Sequence, residues 1–207
     1  MVETHAAPRG AKRERTRTRL LDAALELTRE KGFDQTTLQE IAQRAGVTTG
    51  AIYGNFANRD ALFVALAERQ WASLRPAHQP GQSFADLMDS TAEALLAAME
   101  ERAPAAVGAL TFRAYALRTP QVRRGFHEAM ARGYAAGAAW LDANFRPEEL
   151  PMSAAVLVRV INALAEGLTE QRLLTPELIT DEVVRAAFRA LAPSASGDLA
   201  APPQGGV

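Results

Sequence analysis

Three features of this sequence predict an all-α fold. Alanine supplies 43 of the 207 residues, and it is the strongest helix former while adding little core volume. Apolar residues recur at helical spacing through most of the chain, and no useful run alternates at the period of a strand. Cap residues and Gly or Pro punctuation then cut that periodicity into about nine helices.

Leu20, Ala24 and Leu27, flanked by Leu21 and Leu25, make the first apolar stripe. Gly32 is placed to stop this helix, and Phe33 to fold back onto it. Thr37-Leu38-Gln39-Glu40 has the form of a capping box, in which a Thr hydroxyl and a Glu three residues later satisfy free N–H groups. This second helix is short. Ile41, Ala42 and Ala45 give its buried face, and Gly46 ends it. Val47 follows, and Thr48 caps a third short helix reaching about Asn55. Asn58 caps a fourth, anchored by Leu62, Phe63 and Leu66, with Asp60 near its positive end. Two short helices joined across Ala45-Gly46-Val47 have the form of a helix-turn-helix.

A Pro- and Gly-containing break at 75–81 marks a boundary. Ser83 with Asp86 restarts a helix with Phe84, Leu87, Met88, Thr91 and Leu95 on one face. Pro104 sits at an N1 position for a helix carrying Val107, Leu110, Phe112 and Tyr115. Thr119-Pro120 opens a long one through Val122, Phe126, Met130, Gly133, Gly137, Trp140 and Leu141. After Pro147 and Pro151 comes an apolar helix, Val156 to Leu168, whose apolar residues occupy more than one face and so predict burial on two sides. A last helix after Thr180-Asp181 offers Val184, Ala187, Phe188 and Leu191, and the composition of 193–207 implies a disordered tail.

The net charge of −1 hides a division: +3 up to Arg75 and −4 beyond it. Arg9, Lys12, Arg13, Arg15, Arg17 and Arg19 crowd the start, where 1–14 reads as a basic disordered arm. Such a cluster is either a solvated tail or an arm that touches a polyanion. No continuous apolar run approaches the roughly 18 residues of a membrane span, and no secretory h-region follows the start, so a cytoplasmic protein with no membrane contact is expected.

The third helix decides between the two readings of the arm. It exposes Thr48, Thr49, Gly50, Tyr53 and Asn55, while Ala51, Ile52 and Phe56 pack. Thr hydroxyls and an Asn amide read base edges or bind phosphates, and Gly50 allows close backbone approach. Thr37 and Asn58 bring helix N-termini toward phosphates, and Arg59 adds a full charge. With Arg15 and Arg17 from the basic segment, these are the candidate DNA contacts. The alternative is an ordinary capped helical hairpin.

Leu20 to Leu66 resembles the DNA-binding domain of the TetR family of bacterial transcriptional regulators. The likeness rests on Leu20-Leu21-Asp22-Ala23-Ala24, Glu30-Lys31-Gly32-Phe33, Thr36-Thr37, Ile41-Ala42, Ala45 through Tyr53, Phe56 and Asn58 through Leu62. Arg59-Asp60 departs from the Lys-Glu usual in the family. Ala163 through Leu168 is similar to a segment of the family's penultimate helix. The resemblance implies a three-helix reader at 15–62 and a ligand-binding and dimerisation domain at 63–192. It also implies a homodimer whose last two helices form a four-helix bundle, here through Val158, Ile161, Ala165, Leu168, Val184 and Phe188. The expected DNA is a near-palindromic operator, released when a small effector binds among the middle helices. Phe84, Met88, Phe112, Tyr115, Phe126, Met130 and Tyr134 are candidates to line that pocket for an apolar or aromatic ligand, with Trp140 beside them and room left by Gly133 and Gly137. Arg113, Arg118, Asn162 and Glu166 are possible polar anchors. Equally, the aromatics are ordinary core and the glycines allow close packing.

Catalysis has little footing. There is no cysteine, which excludes thiol nucleophiles and Cys-ligated metals. His5, His78 and His127 have no nucleophile or carboxylate cluster at useful spacing, and no Gly-rich phosphate loop occurs. No enzyme activity, metal or cofactor is expected. The rival readings are a ligand-independent DNA-binding protein and a helical carrier or enzyme that retains the fold.

Overall fold

The computed structural model describes residues 9–72, 79 and 81–192. Among them are nine α-helices and no strand: α1 (Arg9–Lys31), α2 (Leu38–Arg44), α3 (Thr49–Tyr53), α4 (Arg59–Ala72), α5 (Phe84–Arg102), α6 (Ala106–Arg118), α7 (Pro120–Asn144), α8 (Ala154–Leu174) and α9 (Asp181–Arg189). The fold is all-α. Two compact units share α5 and α7: one holds Met1–Leu74 with Ala97–Tyr134, the other Arg75–Leu96 with Ala135–Val207.

In the first unit, Leu20, Ala24 and Leu27 of α1 close over Ile41, Ile52 and Leu62, all at most 5% exposed. Gly32 ends α1 at φ +86°, a left-handed conformation open to glycine without strain. Phe33 then turns inward, meeting Phe63 edge-on at 4.8 Å and Phe112 at 5.2 Å. α6 crosses α1 at very short range. A Cβ added at Gly108 would stand 2.3 Å from the Thr28 methyl, so only glycine fits there unless Thr28 shifts.

The second unit is built from 84–96 of α5, 135–144 of α7, α8 and α9. Phe84, Leu87, Met88, Leu157, Val184 and Phe188 form its buried centre. Phe84 meets Phe145 edge-on at 5.8 Å. Ion pairs from Arg185 to Glu93 (2.6 Å) and Arg189 to Asp89 (2.8 Å) join α9 to α5. At Gly137 a Cβ would lie 2.5 Å from Val158, so this glycine serves close packing of α7 on α8 rather than leaving room for a ligand.

Several expectations are corrected here. Residues 9–14 are not a disordered arm but the first turns of α1; Ala11, Lys12, Arg13, Glu14 and Arg15 are mostly good helix formers that extend a helix already nucleated by packing. Pro104 lies in a 3₁₀ turn, Ala103–Ala105, one step before α6. Val184 and Phe188 are fully buried within the chain, which leaves them no surface for a second copy. Pro147–Leu174 is, by length and composition, apolar enough to cross a membrane. A count of continuous apolar runs overlooks it because Arg159, Asn162 and Glu166 interrupt the segment. The expected arm start at 1–8, most of the break at 75–81 and the tail at 193–207 lie outside the described residues.

Candidate nucleic-acid interface

The capping box at α2 forms as read. Thr37 Oγ accepts from the Glu40 amide at 3.3 Å, and Glu40 accepts from the Thr37 amide at 3.0 Å. Lys31 pairs with the same carboxylate. That ammonium, with the two bonds from Thr37, holds Glu40 well down, at about 2. Arg44 at the other end of α2 clasps both oxygens of Glu30 at 2.7 Å and reaches Glu26 at 3.3 Å. Both ends of a seven-residue helix are thereby tied to α1.

The turn into α3 is a Schellman motif: Val47 N donates to Ala42 O at 3.0 Å and Gly46 N to Gln43 O at 3.1 Å, with Gly46 at φ +61°. Arg19 of α1 donates to the Gly46 carbonyl at 3.3 Å. A five-residue helix has no stability of its own, and α3 is held by Ile52 beneath it and Phe56 behind it, at 0% and 4% exposure. This leaves Thr48, Thr49, Gly50 and Tyr53 facing outward, Tyr53 at 61% exposure. Thr48 occupies the cap position but makes no side-chain cap bond, so its hydroxyl is uncommitted.

The remaining candidates divide. Asn55 falls past the end of α3, and its amide donates to Ala51 O at 2.7 Å while Oδ1 is buried with no partner. Asn58 caps α4, accepting from Ala61 N at 2.8 Å. Arg15 is exposed, whereas Arg17 lies with its guanidinium 4.6 Å from the Phe56 ring centroid. Arg59 turns inward. Its Nε donates to Thr36 O at 3.0 Å and its Nη2 to Phe33 O, over the rings of Phe33 and Phe63 at 4.1 and 4.8 Å. Burial pushes its pKa down. The charge expected at a phosphate is thus engaged by two protein carbonyls. Periodicity and caps identified the outward face, but nothing in them marked Arg19, Arg44 or Arg59 as tethers.

The candidate pocket residues are divided between the two units. Phe84 and Met88 are solid core of the second unit. Phe112, Tyr115 and Phe126 belong to the core around Phe33 in the first unit. Phe112 and Phe126 line a cavity of about 50 Å³, against roughly 300–1,000 Å³ for small-molecule sites. Tyr115 OH donates to Asp60 at 3.4 Å, and Met130 and Tyr134 are half-buried. Of the candidate dimer residues, Ala165 and Leu168 are buried and Val158 and Ile161 partly so.

Residues 20–66, which contain α2, α3 and the part of α1 that packs on them, match the family model of bacterial regulatory proteins, tetR family. That match identifies this segment, rather than the whole chain, with the tetR family. The transcriptional regulator SrpR of Pseudomonas putida is 46% identical over 61 residues, 29% of each chain. AcrR of Shigella flexneri is 46% identical over 55 residues, covering 27% of this chain and 26% of AcrR. The chain thus spans less than half the length of the curated relatives it matches. Its fold is shared more fully. The multidrug binding protein EbrR, solved with imidazole, aligns with a TM-score of 0.60 at 24% identity over 95% of this chain and all of EbrR. A TetR regulator of Rhodococcus sp. RHA1 aligns at 0.56 and 22% identity, over 89% and 97%. The tetR-family match falls on residues 20–66, and the rest of the chain is matched by fold.

Proposed function

We propose that this chain is a cytoplasmic, homodimeric transcriptional regulator that binds a near-palindromic operator and is released from it by a small apolar or aromatic ligand. The observation that carries the reading is the outward face of α3, where Thr48, Thr49, Gly50 and Tyr53 project from a helix pinned at both sides. Two hydroxyls and a bare backbone suit base edges and close groove approach, and a Tyr hydroxyl suits a phosphate. Two such helices related by a two-fold would enter successive major grooves about 34–36 Å apart.

Support for the dimer comes from the end of the chain. Only 22% of the apolar window in Pro147–Leu174 is buried within one subunit. Val156, Leu173, Leu174, Leu178 and Val183 stand 38% to 81% exposed. Exposed apolar residues of this kind support a contact on this outer face rather than at the buried Val184 and Phe188. Support for the ligand comes from the structural neighbour EbrR, a multidrug binding protein.

Selecting bound fragments from the source genome, then titrating apolar metabolites against the complex, tests both parts. A specific complex weakened by a ligand is the expected result. A specific complex that no ligand shifts favours the ligand-independent rival. Absence of any specific complex overturns the reading.

A further inference from the structure

The extension of α1 beyond the reader's core separates its basic residues into two stripes. Residues 9–19 carry six cations against Glu14 alone, and all of them are helical. At 100° per residue, Arg13 and Arg17 share the face that continues toward the core. They line a cavity of about 270 Å³ with Asn55, Gly10 and Glu14, and Arg17 is stacked on Phe56. Lys12, Arg15 and Arg19 make the other stripe, spaced i, i+3, i+7, and all three are exposed.

Arg19 fixes where the outer stripe points, because it donates to Gly46 O in the turn that delivers Thr48 and α3. Arg15 lies one turn and Lys12 two turns further out on the same line, about 10 Å along the helix axis. Neither makes an ion pair among the described residues. The stripe offers charge without shape: the one hydroxyl beside it, Thr16, is spent on Lys12 O at 3.0 Å. A rigid row of cations continuing from the side of the helix-turn-helix turn matches the regular charge of a duplex backbone.

We infer that Lys12 and Arg15 form a second, sequence-independent contact to the DNA backbone flanking the groove that α3 enters, while Arg17 braces the reader and leaves the phosphates alone. This rests on the DNA-binding reading above and assigns the division of labour within α1.

The test uses the full chain and follows the logarithm of the binding constant against the logarithm of salt concentration, on the selected operator and on an unrelated duplex. For Lys12→Ala with Arg15→Ala, the slope should fall by about 0.9 for each residue replaced in each subunit, equally on both DNAs. Arg17→Ala should leave the slope unchanged. Both sites are exposed helix positions, so circular dichroism should match the parent. A double variant with the parent's slope overturns the contact, and so does an Arg17→Ala variant whose slope falls by the same amount. A parent that forms no DNA complex overturns the functional reading itself, an outcome distinct from either.

Discussion

Arg59 lies across the face of Phe33, its guanidinium carbon 4.1 Å from the ring centroid, and donates to the backbone carbonyls of Phe33 and Thr36. The first residue of α4 therefore fastens the loop between α1 and α2. A planar fork can hold two carbonyls and a ring at once, which an ammonium cannot. Arg59→Ala should lower unfolding stability by about 1–3 kcal/mol, from charge-assisted hydrogen bonds and a cation–π contact. Arg59→Lys should recover less than half of that. Urea melts measure the loss, and salt titration of DNA binding should give an unchanged slope. A reduced slope with full stability would restore the phosphate role.

The crossing of α6 over α1 predicts a paired result. Gly108→Ala brings a Cβ onto the Thr28 methyl and should cost about 1–3 kcal/mol, the range for overpacking. Thr28→Ser removes that methyl yet keeps the hydroxyl that donates to Ala24 O at 2.7 Å. Combined with Thr28→Ser, Gly108→Ala should cost much less, a coupling that a double-mutant cycle reads directly. Strict additivity of the two changes would refute the close contact.

Acid should loosen the reader through Glu40. Its folded value, about 2, lies below the ordinary 4.5, first through Lys31 and then through Thr37. The unfolded chain takes up this proton first, so the contribution is complete above about 4.5 and fades as pH falls toward 2. Glu30, lowered by its bond to Arg44, acts in the same direction. Thermal melts from pH 6 to 2 should show Glu40→Gln with lower stability at pH 6 and a shallower decline below 4.5. An unaltered profile would mean that the capping box carries no charge-dependent stability.

Two substitutions in the second unit should fail differently. Leu174, 81% exposed, belongs to the proposed interface. Leu174→Glu should yield a folded monomer by sedimentation. Phe188 is fully buried, and Phe188→Ala should cost about 3–5 kcal/mol of subunit stability. Monomers from the Phe188 variant with undiminished stability would return that residue to the interface.

What could be read in advance was whatever a residue does to its own backbone. Gly32, Gly46, Thr37, Asn58 and Thr180 act locally, and each sits where its chemistry placed it. The face of each helix was legible too, because periodicity names the apolar side. It does not name what that side is buried against, which is why Val184 and Phe188 could be taken for a subunit interface. Long cations were least legible. The same guanidinium suits a phosphate, a carbonyl or an aromatic ring, and only the fold decided among them for Arg17, Arg19 and Arg59. The helical start of α1 was hidden for another reason: its first residues are polar on every side and carry no apolar stripe to count.

The outward face of α3 has one more consequence. Its four residues hold nothing together; the packing falls to Ile52 and Phe56, and the tethers to Arg19 and Arg44. In the proposed role, the text to be read can therefore be rewritten at almost no cost to the page on which it is mounted. Lineages that duplicate such a chain would be free to diverge in target while the scaffold stays still.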